Sequence, residues 1–321
     1  GRSNRDSEYR AADGDNRPEA DHQAVDQPFR CGCDRTGAVQ TFLPFPDFSE
    51  SARALDTARL GKQRVEALQV LRAIVIPTYG WQTHPAMQMW RGYVPALTRY
   101  ALDMADEWTN QGHPDTTRPL IAEFAPEADV EGASLAVPSW LGNEALHLSH
   151  RSNLVRKAPE IYAPLFPGVP DDLPYVWPGP DPESVSGAGV DDAAARPSTP
   201  AGSVLRAPTW IVRPRNAEEF DSWTTGGVIV LGELSPRGKV TPKWQAQLEV
   251  FAALEPGTLV AVLAADSARL VRGTVTGPVE TSEDDGGDFV LKLPVEFGDE
   301  IARTAFSYPA LLQDPRTLFS V

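Results

Sequence analysis

Long apolar runs are missing from this chain. It holds no stretch of about 18 consecutive apolar residues, so no membrane-spanning helix and no membrane partner are expected. No charged segment followed by an apolar one opens it, so no secretory signal is read and a cytoplasmic location is expected. Cysteine is scarce: Cys31 and Cys33 are the only two. Such a C-x-C pair can bind metal or oxidise. With no Cys or His cluster beside it, the pair is read as incidental. No Walker loop, zinc spacing, nucleophile elbow or dinucleotide fingerprint occurs, so neither a cofactor nor a metal is expected. Positive charge is in the minority, with 29 Lys and Arg against 44 Asp and Glu and a net charge of −15. That balance argues against whole-surface affinity for nucleic acid or anionic membranes, and leaves room for a local basic patch.

Such a patch is present. Between Arg53 and Arg99 the basic residues are Arg53, Arg59, Lys62, Arg64, Arg72, Arg91 and Arg99, and the only acids are Asp56 and Glu66. A chain of 321 residues with 41% apolar content has material for two cores. Residues 1–38 are polar and read as a disordered tail. Val39 directly precedes the first apolar run, and we take position 39 as a candidate translation start. Residues 39–178 read as an all-α domain, 179–207 as a flexible linker rich in Gly, Pro, Ser and Ala, and 208–321 as a small α+β barrel-like domain.

Within the helical domain, Pro44 and Pro46 keep the chain extended before Asp47. Asp47 and Glu50 make a capping-box-like start for a helix through Ala52, Leu55 and Ala58. Gly61 marks a bend or a close approach. A second helix carries Val65, Leu68, Leu71 and Val75 on one face. His84-Pro85 starts another, Pro95 a longer one, and Asn143 to Lys157 a further one. The aromatic, proline-rich residues 158–178 should wrap over these helices. In the C-terminal part, 209–213, 227–231, 259–263, 270–275 and 289–295 read as strands, and 241–254 as a helix.

Arg59, Lys62, Gln63 and Glu66 recur at helical spacing. On a continuous helix they share one face, largely opposite the apolar one. Spacing alone makes that face solvated, with a modest Lys62–Glu66 pair. The alternative is a phosphate-contacting patch with an amine and an acid/base group inside it. His84 reads as a helix cap, with a base or a phosphate contact as alternatives. His147, His150, Arg151, Arg156 and Lys157 form a basic helix end, which the helix dipole by itself favours. Trp81, Trp90 and Trp108 read as core rather than as platforms for bases.

The stretches Gln40 to Pro44, Arg59-Leu-Gly-Lys-Gln-Arg-Val-Glu66, Tyr79 to Pro85, Met89 to Tyr93 and Ser149 to Lys157 resemble the bacterial branch of the pyrimidine-dimer DNA glycosylase (endonuclease V) family. The resemblance covers residues 40–178. It implies an all-α domain that binds double-stranded DNA and extrudes a nucleotide opposite the damage. It also implies an N-terminal amine that attacks the sugar C1′, a glutamate that assists, and an AP-lyase step. By approximate alignment the family's Arg-Glu pair falls at Lys62-Gln63, which puts an amide where the family has a carboxylate. Glu66, one turn on, is the nearest substitute. Lys62 is then the candidate amine, unless the chain starts at position 39. Arg59, Arg64, His84, Arg91, His150, Arg151, Arg156 and Lys157 are the expected DNA contacts. A non-catalytic reader of modified DNA, in a restriction or defence system, is the alternative. Residues 208–321 resemble the PUA/EVE-like barrels of Mrr-class restriction systems, which implies a nucleic-acid reader in which Trp210 and Arg213 are candidates.

Overall fold

Two aspartates set the first helices. Asp47 caps α1 (Phe48–Ala54) through its carboxylate and Glu50 N, and Asp56 caps α2 (Thr57–Val75) through Arg59 N. The expected helix through Ala58 is therefore two helices, broken at the extended Leu55 rather than at Gly61. Gly61 lies inside α2, where a Cβ would stand 2.7 Å from the Trp108 ring. It permits a close helix crossing, and no bend is needed there. The computed structural model describes residues 39–180, 209–284 and 286–321. The expected tail at 1–38, and the expected linker from residue 181 on, lie outside them.

After α2 come α3 (Pro85–Trp90), α4 (Val94–Asn110), α5 (Arg118–Ala122), α6 (Glu144–Lys157) and α7 (Pro159–Leu165). Helix α4 is the centre of this half. Its Ala96, Leu97, Tyr100, Ala101, Met104 and Ala105 are fully buried, and Trp108 packs on Gly61. As expected, the segment after α6 wraps back. Tyr162 and Phe166 are buried, and Tyr175 and Trp177 pack against the helical core.

The C-terminal half is a mixed sheet of β1 (Trp210–Val212), β2 (Val228–Gly232), β3 (Leu259–Leu263), β4 (Arg269–Val275), β5 (Glu280–Glu283), β6 (Phe289–Ala302) and β7 (Leu318–Ser320). The order is β2-β6-β4-β3-β1-β7, with β5 also on β6 and only β1–β3 parallel. The path has two free ends, so the expected barrel is an open half-barrel. Strand β6 runs seven residues past the expected Val295 and serves both sides of the curl. Its first half lies between β2 and β5, and its second half pairs with β4. Gly273 allows that bend, because a Cβ there would meet Val295 Cγ1 at 2.4 Å beside a register shift in the β4–β6 ladder. Helices α8 (Ala217–Gly226) and α9 (Pro242–Ala252) cover one face with Phe220, Trp223, Trp244, Leu248 and Phe251.

The other face of the sheet packs on the helical half. Ile211, Leu263, Leu270, Tyr308, Leu312 and Phe319 share one core with α2, α4 and α5. Polar contacts fix the junction. Arg303 Nε and Nη2 meet the Glu123 carboxylate at 2.6 and 2.9 Å. Gln313 Nε2 donates to Leu120 O at 2.8 Å, and Tyr308 Oη to Phe124 O at 3.0 Å. The described residues between 39 and 321 thus form one compact unit.

Candidate functional site

Residues 40–44 are buried and Phe45 half-buried, yet none of them lies in a helix or strand, and no strand among the described residues pairs with them. Buried backbone polar groups must still find partners, and here side chains supply them. From α2, Gln63 Oε1 accepts from Phe42 N at 3.1 Å, and its Nε2 donates to Gln40 O at 2.7 Å. From α4, Tyr100 Oη donates to Phe42 O at 2.9 Å. From α6, His150 Nδ1 accepts from Leu43 N at 2.9 Å, and Arg151 Nη1 donates to Pro44 O at 2.8 Å. His147 Nδ1 donates to Leu43 O at 2.8 Å while its Nε2 accepts from Gly142 N at 3.0 Å, which sets the tautomer. Ser51 Oγ closes the series, accepting from Phe45 N and donating to Phe45 O. The segment is a strap whose backbone is tied to four helices, and Trp90 Nε1 of α3 adds a bond to Thr41 Oγ1 at 3.0 Å.

The strap explains why the expected polar face of α2 is not a solvated one. Gln63 is fully buried, and the Glu66 side chain is only 12% exposed. The strap covers the flank of α2 that helical spacing alone leaves open. His147 and His150 are also fully buried. Burial first, and then the neighbouring His147, hold the His150 imidazole down to about 3. Its Nε2 has no hydrogen-bond partner among the described residues.

Next to the strap, α2 and the end of α6 bring charged groups together. Lys62 Nζ lies 3.3 Å from Glu66 Oε1, and its side chain is half exposed. Burial pushes the Glu66 carboxyl above the usual carboxylate range, against the pull of Lys62 and Lys157. The Lys157 amine is held below the usual lysine value. Partial burial contributes most, followed by the charges of Arg59, Lys62 and Arg156, and Glu66 opposes them. The carboxyl and the amine thus have their proton affinities drawn toward each other. Tyr175 borders the group, its hydroxyl against the Gln40 amide and pushed up to about 12, chiefly by burial. Arg59 is held in place by Asp56, at 2.5 Å, and by the face of Tyr162, at 5.4 Å. Tyr162 Oη in turn donates to Asp56 Oδ2 at 2.5 Å, which ties α7 to the start of α2.

Of the expected site residues, the fold gathers Arg59, Lys62, Glu66, Arg156 and Lys157. It places Gln63, His150 and Arg151 on the strap. Arg151 also pairs with Glu144, and Arg156 donates to Asn153 Oδ1. Arg64 lies on the opposite side of α2, where Asp115 at 2.5 Å and the Trp108 face at 4.8 Å hold it. His84 caps α3 by accepting from Ala86 N at 3.2 Å, and packs edge-on to Trp177. Arg91 Nη2 donates to Gln82 O at 3.2 Å. In the sheet half, Arg213 Nη2 donates to Asp314 O at 2.9 Å and its guanidinium lies over Phe319, so it is engaged within the fold. Sequence reading missed Gln40, Asp56, Tyr162 and Tyr175. Asp56 carried a signal, an Asx residue three before Arg59 at a helix start. The other three are joined to the site only by tertiary packing.

Among the described residues no three or more His, Cys, Asp or Glu stand together as a metal site, and no helix is long and apolar enough to cross a membrane. No curated protein and no solved structure matches the chain. Arg156 and Lys157 come from α6, beyond the stretch that a family match covers. Residues 39–119, which supply the strap, Arg59, Lys62 and Glu66, match the family described as pyrimidine dimer DNA glycosylase.

Proposed function

We propose that the helical half is a DNA glycosylase that removes a damaged pyrimidine from duplex DNA and then acts as an AP lyase. The observation that carries this reading is the meeting of a shielded carboxyl, Glu66, with two amines, Lys62 and Lys157, beside Arg59 and Arg156. The chemistry needs an amine that loses its proton readily and an acid that keeps one. Lys157 and Glu66 are shifted in those senses. Lys62 is paired with Glu66 and half exposed, which suits it to hold that carboxyl and a phosphate. The neutral Lys157 amine adds to C1′ of the damaged nucleotide. The C1′–N bond breaks, and the base leaves with the electron pair and takes the Glu66 proton. The added nitrogen releases one proton, which O4′ takes up as the C1′–O4′ bond opens, leaving an iminium that keeps the other hydrogen on nitrogen. The Glu66 carboxylate then removes a C2′ proton, and the 3′ phosphate departs. Arg59 and Arg156 hold the flanking phosphates. Were synthesis to begin at position 39, the terminal amine would stand next to Gln40, inside the same cluster, and would compete with Lys157 for this role.

The second reading is a non-catalytic reader of modified DNA, with residues 208–321 assisting. The amide at Gln63, where the resemblance puts a carboxylate, favours it. The test is release of base and strand scission on ultraviolet-irradiated duplex, for wild type and Glu66→Gln, with chains starting at residue 1 and at residue 39. Turnover by wild type and its loss in Glu66→Gln support the enzyme. Salt-dependent binding of irradiated duplex without turnover by either chain supports the reader.

A further inference from the structure

One tryptophan in the helical half is not core. Trp90 and Trp140 are buried and Trp108 packs against Gly61, but Trp81 is 48% exposed. Its backbone also has a positive φ of 72°. A bulky residue in that region is strained, and such strain persists only where the surroundings hold it. Here they do. His84 N donates to Trp81 O at 2.9 Å. Gln82 Nε2 donates to Pro77 O at 2.6 Å, and Gln82 O accepts from Gln88 at 2.8 Å and from Arg91 at 3.2 Å. The loop is fixed through Gln82, and the neighbouring indole is left at the surface.

The loop adjoins the site through a row of rings. His84 packs edge-on to Trp177 at 5.9 Å, Trp177 lies 5.7 Å from Tyr175, and Tyr175 borders Gln40 and feels the charges of Arg156, Glu66 and Arg59. No acid occurs in the sequence between Glu66 and Asp103, and Asp314, which accepts from Thr78 Oγ1 at 3.2 Å, is buried and neutralised by Arg316 at 2.7 Å, so this rim suits a polyanion. An exposed indole on a rigid loop that a row of rings joins to a cationic cluster is matched by a ligand with both a π-face and phosphates.

We propose that Trp81 stacks on a nucleobase left unpaired at a lesion in duplex DNA. The inference rests on the DNA-binding reading above. Intact B-form duplex keeps its bases stacked and offers no free face, so the ring contributes where a base has lost its partner or left the helix. Loss of such a stack lowers affinity about tenfold.

The test uses the whole chain and two duplexes of one sequence, one intact and one with a tetrahydrofuran abasic analogue opposite 2-aminopurine. Glycine adopts φ +72° freely, so Trp81→Gly should melt no lower than wild type. The expected result is an affinity ratio, abasic over intact duplex, about tenfold lower in Trp81→Gly, with Trp81→Phe in between. The protein-induced quenching of 2-aminopurine should be lost in Trp81→Gly and kept in Trp81→Phe. An unchanged ratio overturns the proposal, as does an equal loss on both duplexes, which would mark a general surface contact. If wild type binds neither duplex at low salt, the DNA reading itself fails and this proposal falls with it.

Discussion

Replacing Gln63 tests the strap. In Gln63→Ala the Phe42 N–H and the Gln40 C=O lose their partners in a fully buried place. Each orphaned group costs about 1–3 kcal/mol, so the loss should be about 2–6 kcal/mol. Gln63→Glu is sharper, because it reverses a pH dependence. A glutamate keeps the acceptor for Phe42 N, but turns the donor 2.7 Å from Gln40 O into a second acceptor. Protonation restores the donor, so the folded state raises the pKa of the new carboxyl. A raised pKa gives stability that is full below the unfolded value and lost as pH rises through the folded one. Wild type runs the other way. His150 is held down from 6.5 to about 3, so its contribution is present above 6.5 and is lost as pH falls toward 3. Urea unfolding from pH 4 to 8 should show Gln63→Glu losing stability with rising pH relative to wild type. A loss under about 1 kcal/mol in Gln63→Ala, or parallel pH curves for the two proteins, would show that Gln63 does not hold the strap.

Glu66→Gln should separate stability from activity. The Glu66 pKa is raised by burial, so the charged carboxylate is a cost to folding above its ordinary range. The amide should therefore melt no lower than wild type at pH 8 by calorimetry, while base release disappears. Gly61→Ala should lose about 1–3 kcal/mol in chemical denaturation, because its Cβ would meet the Trp108 ring at 2.7 Å. Arg156→Ala should weaken DNA binding evenly across sequences and reduce the slope of log affinity against log salt by about 1. Turnover should rise with pH through a group below the ordinary lysine range, as the lowered pKa of the Lys157 amine requires.

Much of the helical half was legible because its signals are local. Pro85 and Pro95 at helix starts and Asp47 as a cap each act within one or two turns. The break at Leu55 was missed because Asp56 was read as part of the helix rather than as its cap. Gly61 kept two readings open, since only the position of Trp108 chooses between a bend and a close approach. In the sheet half, α8, β5 and β7 went unread. Strand β5 carries Glu280, Thr281, Ser282 and Glu283, with no alternating apolar face to mark it. The site was legible as residues but not as an arrangement. Lys62 and Glu66 are one turn apart in sequence, whereas Lys157 reaches them only through the packing of α6. Gln63 and His150 resembled surface groups because the strap that covers them makes no pattern of its own.

In the function proposed above, α2 and α6 together build an amine–carboxyl centre that acts on DNA. Its most direct test is borohydride trapping on irradiated duplex, followed by proteolysis and mass mapping of the sugar-modified peptide. The expected result is a covalent adduct on Lys157, reduced in Glu66→Gln and absent in Lys157→Ala. No adduct with wild type, or an adduct that persists unchanged in Lys157→Ala, would contradict it.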